Sequence, residues 1–379
     1  MSYIFPIFAL MFALKRYIPY YRRIITLALP VVFAQVGQLT TQFADTAMVG
    51  QYGGEDAVPL AAVSLGSSLF LLIYLALLGL ALAITPIVGE CFAEGEKCGA
   101  DNRGELARLF QNSTLYCMLL GVVGVIAAVV LRPLISVLQG WMTSSGDVAQ
   151  VSAVALPYYD MLVWSIIPLM LFLAVKQFLE GVGNTSVAMW ITLLSNVVNI
   201  SLNWVFIFGN LGAEAMGAEG AGLATLISRV VQAVAIVGYA LVARRLRGYI
   251  SLFGWGATAW GYLRRLLTVG FPISFQMVME SAAFILTSIL ALSFGAEAAG
   301  AMQVSFNIAN IAWMITVAIG SASTIVVSHI YGSKNYKELR PTILATYHLG
   351  LMWALFMASV FVIFRADIAS LFTDNRATI

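Results

Sequence analysis

Nine stretches of this chain, at roughly 24–49, 60–88, 108–131, 152–175, 186–208, 220–243, 266–294, 299–330 and 342–364, are apolar for about 20 residues or more. A helix of that length satisfies its own backbone hydrogen bonds and reaches across a hydrocarbon core about 30 Å thick. The breaks are short and carry Gly and charge, as in QYGGEDAVP and GNLGAEAMGAEG. Composition agrees: 61% of the residues are hydrophobic and 10% charged, against roughly 45–50% and 25% in soluble domains. The chain therefore reads as an all-α polytopic membrane protein with nine transmembrane helices, embedded in a lipid bilayer.

Charge orients the spans and excludes several functions. Sixteen of the 20 basic residues fall on alternate loops, including Lys15, Arg16, Arg22 and Arg23, then Arg103 and Arg108, and later Lys334, Lys337 and Arg340. Basic residues collect in cytoplasmic loops, so the amino terminus is expected in the cytoplasm. A net charge of +2 gives no basic face for nucleic acid. The three cysteines fit neither a disulfide framework nor a zinc site. In the apolar opening MSYIFPIFALMFAL the charges follow rather than precede the run, so residues 1–21 read as an interfacial tail and not a signal peptide.

The chain repeats itself. RRIITLALPVVF at 22–33 matches RRLLTVGFPISF at 264–275, and at an offset of 241 Ser64 meets Ser305 and Gly79 meets Gly320. Later, LRPLISVL at 131–138 resembles FRADIASL at 364–371. Six spans fill one period, so the repeats enter the membrane in the same direction. A lobe at 22–248 and an incomplete one at 249–379 are expected. The first repeat runs on for three further spans where the second stops, so a fragment of a twelve-span parent is expected, against the alternative of a nine-span protein.

Polar residues inside these spans fall into stripes. Gln35, Gln38, Gln42 and Asp45 share a face of the first span, and Thr192, Asn196, Asn199 and Asn203 a face of the fifth. Gln276, Glu280 and Thr287 line the seventh, and Gln303, Asn307 and Asn310 the eighth. Amides of this kind either glue helices together or line a wet cavity. An ionised acid at a helix centre costs about 2.5–3.5 kcal/mol, and no Lys or Arg follows within a turn of Asp45 or Glu280. Such a carboxyl suits reversible binding of a proton or a Na⁺ ion.

Other residues carry weaker signals. Lys176 and Glu180 are spaced to pair, whereas Asp160 reads as solvated. Pro30 and Pro272 hold equivalent repeat positions and are candidates for kinks. Trp164, Trp190 and Trp204 read as belt or core residues. Motifs for zinc proteases, P-loops and serine hydrolases are missing. No enzyme is expected, no cofactor, and energy would come from an ion gradient.

The runs LALPVVFAQ (27–35), FADTAMVG (43–50), TPIVGE (85–90), FLEGVGNT (178–185), NISLNWVFIFG (199–209), GAEGAGLAT (217–225), GFPISFQMVMESAAF (270–284) and MQVSFNIAN (302–310) resemble, in order, segments of the MATE (multidrug and toxic compound extrusion) transporters. Glu280 points to the NorM-like branch. The resemblance implies two six-helix lobes around a cleft, and export of amphipathic, often cationic small molecules in exchange for Na⁺ or H⁺. It implies coupling roles for Asp45 and Glu280, with Asn199, Asn203 and Thr225 accompanying Asp45. Gln35, Gln38, Gln42, Asn196, Gln276, Gln303 and Asn307 complete the expected cavity lining. A monomer in a bacterial-type inner membrane is expected. The alternatives are a lipid-linked saccharide flippase of the same superfamily, for which only Arg229 and Lys176 offer cavity charge, and a non-transporting membrane scaffold.

Overall fold

The computed structural model describes residues 4–54, 58–98, 102–134, 148–243, 246, 248–249, 260–292, 294 and 296–364. Its helices are α1 (Ile4–Gly53), α2 (Val58–Ala81), α3 (Ile84–Cys98), α4 (Arg103–Leu131), α5 (Val148–Trp164), α6 (Ile166–Gly181), α7 (Ser186–Phe208), α8 (Ala218–Val242), α9 (Trp260–Leu292), α10 (Ala296–Gly332) and α11 (Leu339–Ile363). Nine helical stretches among the described residues are long and apolar enough to cross a membrane. The second repeated segment pair, Arg244, Arg245 and Arg247 lie wholly or largely outside the described residues, as do the side chains of Gln303 and Asn307.

Two expected spans are each built from two helices, and proline explains both breaks. Leu82 and Ala83 separate α2 from α3, and Ser165 separates α5 from α6. The ring nitrogen of Pro86 cannot donate to the carbonyl of Leu82, nor that of Pro168 to Trp164, so the ladder lapses there. In each case Pro becomes the third residue of the new helix, where a missing N–H costs nothing. Pro30 and Pro272, the candidates for kinks, lie inside the helices α1 and α9.

Two compact units make up the chain. The first comprises Met1–Gln35, Gly89–Ala100 and Met279–Ile379. Its core joins Ile24 and Ala28 of α1 to Ala322, Val326 and Ile330 of α10 and Ala345 of α11. One end of this unit is polar. Glu94 pairs with Lys334 at 3.2 Å, Lys97 Nζ donates to the carbonyl of Ser333, and Tyr21 Oη lies 2.9 Å from His348 Nδ1.

The second unit comprises Val36–Val88 and Asp101–Val278. Here α8 packs against α5, α6 and α7. Small residues set the closest crossing, between α2 and α9: a methyl added at Gly79 would lie 2.7 Å from the backbone nitrogen of Ser274. Ser274 Oγ donates to the carbonyl of Ala76 at 2.8 Å. Close backbone approach of this kind replaces the hydrophobic effect, which does little between helices in lipid. Arg132 and Asp160, the latter expected to be solvated, form a bidentate pair at 2.9 and 2.8 Å. Arg132 lies just beyond α4, and these bonds raise its pKa above the usual arginine value. Lys176 and Glu180 do pair, at 3.7 Å.

Candidate functional site

The densest polar structure in the second unit lies between α7 and α8. Along α7 the polar positions are Thr192, Ser195, Asn199 and Asn203; along α8 they are Thr225, Ser228 and Gln232. Both sets follow steps of three and four, so each forms one face. The helices run antiparallel, and their partners count up one helix and down the other. Gln232 Nε2 donates to Thr192 Oγ1 at 3.3 Å, Ser195 Oγ to the carbonyl of Ser228 at 2.9 Å, and Asn199 Nδ2 reaches Thr225 Oγ1 and Ser228 Oγ, each at 3.4 Å. One turn further, the position facing Asn203 is Ala221, which has nothing to offer.

Asn203 is thus the end of the zipper, and it turns to α1. Its Nδ2 donates both to Asn199 Oδ1, at 3.2 Å, and to Asp45 Oδ1. Asn203 is fully buried, and its own Oδ1 has no hydrogen-bond partner among the described residues. An unsatisfied buried carbonyl oxygen costs about 1–3 kcal/mol. Beside a carboxylate, that oxygen and the neighbouring hydroxyls form a set of hard donors of the kind Na⁺ or a proton takes. No basic side chain forms an ion pair with Asp45 among the described residues.

Arg229 faces the other way from α8. Its Nη1 donates to Ser165 Oγ at 2.5 Å, and its guanidinium lies 4.9 Å from the centre of the Phe70 ring. Ser165 is fully buried at the break between α5 and α6 and passes a bond on to the carbonyl of Leu162.

The acid expected to couple ions in the first unit is Glu280 on α9. Trp313 Nε1 of α10 donates to its Oε1 at 3.1 Å, and no ion pair to Glu280 occurs among the described residues. Asp45 and Glu280 therefore occupy separate units, each held by a neutral nitrogen donor.

The other expected residues are less engaged. Asn199, Asn203 and Thr225 join the Asp45 network, whereas the side chains of Gln35, Gln38 and Gln42 make no hydrogen bond to a described residue. Asn196 packs where a methyl on Gly37 would lie 2.7 Å from its Nδ2, which has no partner among the described residues. Gln276 is exposed. Sequence reasoning missed Ser195, Ser228 and Trp313. The spacing of Thr225, Ser228 and Gln232 carried a legible signal for the serine. Nothing in the sequence singled out Trp313.

Comparison with known proteins decides the family. The MatE profile matches residues 30–205 and 272–379. The chain belongs to the MatE family. Among MATE relatives, it is 31% identical over 355 residues to the "Probable multidrug resistance protein NorM" of Geobacillus kaustophilus, covering 94% of this chain and 75% of that protein. It is 30% identical over 359 residues to the "Multidrug resistance protein NorM" of Vibrio vulnificus, with the same coverage. The fold matches the outward-facing conformation of a multidrug resistance MATE family transporter of the MOP superfamily with a TM-score of 0.80, at 24% identity, over 94% of this chain and 75% of that one. This is a NorM-like, multi-pass membrane protein of a transporter family, not an enzyme family.

Proposed function

We propose that this MATE chain works as a secondary antiporter, exporting amphipathic cationic compounds in exchange for Na⁺ or H⁺ by alternating access. The reading rests on one observation: among the described residues Asp45 is held by Asn203 and forms no ion pair, next to an Asn203 Oδ1 that has no partner there. A carboxylate in that setting gains most from a small cation that it can also release. Glu280 serves as the second coupling acid. The polar faces at Gln35, Gln38, Gln42, Asn196, Gln276, Gln303 and Asn307 line the path, and lobes at 22–248 and 249–379 rock about it. In this reading the amino terminus is cytoplasmic, the membrane is a bacterial-type inner membrane, and the unit of function is a monomer.

The relatives' names, multidrug resistance protein NorM, support the substrate class. Arg229 would be the cavity cation of a saccharide flippase, but its guanidinium is occupied by Ser165 and Phe70. Dye efflux from vesicles under an imposed Na⁺ or pH gradient tests the proposal. Asp45→Asn should abolish gradient-driven efflux while membrane insertion is unchanged. Efflux at the parent rate would remove Asp45 from the mechanism.

A further inference from the structure

The polar end of the first unit carries more positive charge than its own carboxylates take up. Lys334 holds Glu94 at 3.2 Å, Arg23 lies 4.0 Å from Glu338, and Lys97 Nζ donates to the carbonyl of Ser333. These contacts bring the early turns of α1, the end of α3 and the turn between α10 and α11 to one place. Arg16 and Arg22 adjoin Arg23 along α1, and Lys337 and Arg340 flank Glu338. All four are exposed, and none forms an ion pair among the described residues. Seven basic side chains thus stand against four carboxylates, Glu90, Glu94, Glu96 and Glu338. The surplus lies wholly within the first compact unit.

The helices set the depth of this surplus. Arg16 opens the membrane-crossing stretch Arg16–Gly53, and Lys334 stands between the end of Ala309–Gly332 and the start of Tyr336–Ile363. Cations at span ends lie within a Debye length, about 8–10 Å, of lipid phosphates. Tyr331 and Tyr336 stand at the same span ends, 52% and 54% exposed, with ring centres 5.7 Å apart and edge to face. Exposed tyrosines suit the level where acyl chains give way to headgroups, because the ring meets hydrocarbon and the hydroxyl meets water. A soluble polyanion has a use for the charges but none for the rings. A zwitterionic headgroup brings a cation of its own, which the surplus repels.

We propose that this end of the first unit is a docking surface for anionic phospholipid headgroups, centred on Arg22, Lys337 and Arg340 and framed by Tyr331 and Tyr336. The arginines fork onto phosphodiester oxygens and the lysine adds a point charge. The surface is independent of the antiport reading, since it invokes neither Asp45 nor Glu280.

Native mass spectrometry of the purified chain in neutral detergent, titrated with phosphatidylglycerol or with phosphatidylcholine of the same acyl chains, tests it. The parent should take up phosphatidylglycerol at the lower concentration. Each cation near an anionic lipid surface is worth roughly fivefold in affinity. Arg22→Gln combined with Lys337→Gln and Arg340→Gln should therefore weaken the tightest phosphatidylglycerol adduct by about 10- to 100-fold and leave phosphatidylcholine unchanged. Arg22→Lys combined with Arg340→Lys keeps the charge and should stay within about 3-fold of the parent. Unaltered phosphatidylglycerol affinity in the triple variant overturns the surface, as does an equal loss for both lipids. Displacement of the lipid by excess inorganic phosphate would assign the cations to free phosphate, and displacement by a short RNA would assign them to nucleic acid; either result also overturns it.

Discussion

Gly79 offers a sharp test of how the helices are held together. It lies where α2 crosses α9, and a methyl there would sit 2.7 Å from the backbone nitrogen of Ser274. Non-bonded carbon contacts settle at about 3.5–4.0 Å, so Gly79→Ala must part the helices by about 1 Å. Backbone cannot swing aside as a flexible side chain does. Overpacking of this sort costs about 1–3 kcal/mol. The separation also stretches the 2.8 Å bond from Ser274 Oγ to the Ala76 carbonyl, losing about 1 kcal/mol more. Against this, alanine gains about 1 kcal/mol over glycine in a helix interior. The net expectation is a loss of about 1–3 kcal/mol, read as a lower apparent Tm of the purified protein in detergent. Gly320 holds the matching place in the second repeat, where an added methyl meets no described atom within 4 Å. Gly320→Ala should leave Tm unchanged or raise it. Equal melting of the two variants would refute the claim that close backbone packing at Gly79 matters.

Three further outcomes follow from the polar contacts. Lys176→Met leaves Glu180, only 3% exposed, without its cation and should cost about 3–5 kcal/mol, whereas the double change with Glu180→Leu should recover most of it, as Tm will report. Asn199→Leu removes an acceptor from Asn203 and the link to Thr225 and Ser228, so it should cost about 1–3 kcal/mol and raise the half-saturating ion concentration for efflux, while Thr225→Ser should keep both near parental values. Glu94→Lys breaks an exposed pair with Lys334 and should cost under about 1 kcal/mol; exchanging the two charges should restore Tm, and a coupling that survives high salt would contradict a surface pair.

Much of this architecture is legible in the chain itself. Length and apolarity fix the existence of nine spans, because a backbone in lipid has almost no alternative to a helix. Steps of three and four place Asp45, Asn199 and Asn203 on faces, since helical periodicity is local. The MATE resemblance of the quoted runs agrees with the match to the family profile. The breaks at Leu82 and Ser165 are also legible there, for the lost bonds lie four residues ahead of Pro86 and Pro168.

Which faces meet is a different matter. Asn203 and Asp45 are 158 residues apart, and no local rule selects that partner over Gln35, Gln38 or Gln42. The choice follows from the α7–α8 zipper running out at Ala221, which leaves one buried amide with hydrogens to give. Asp160 reads as solvated from the sequence because its partner, Arg132, lies 28 residues away at the end of α4. Trp313 carries no signal in the sequence, and only the folded chain brings its N–H to Glu280. Gly79 and Gly320 are equals in the repeat, yet only the first has backbone pressed against it. Periodicity is a property of one helix and is written in its sequence. Pairing depends on several helices packed together, and so it exists only in the folded chain.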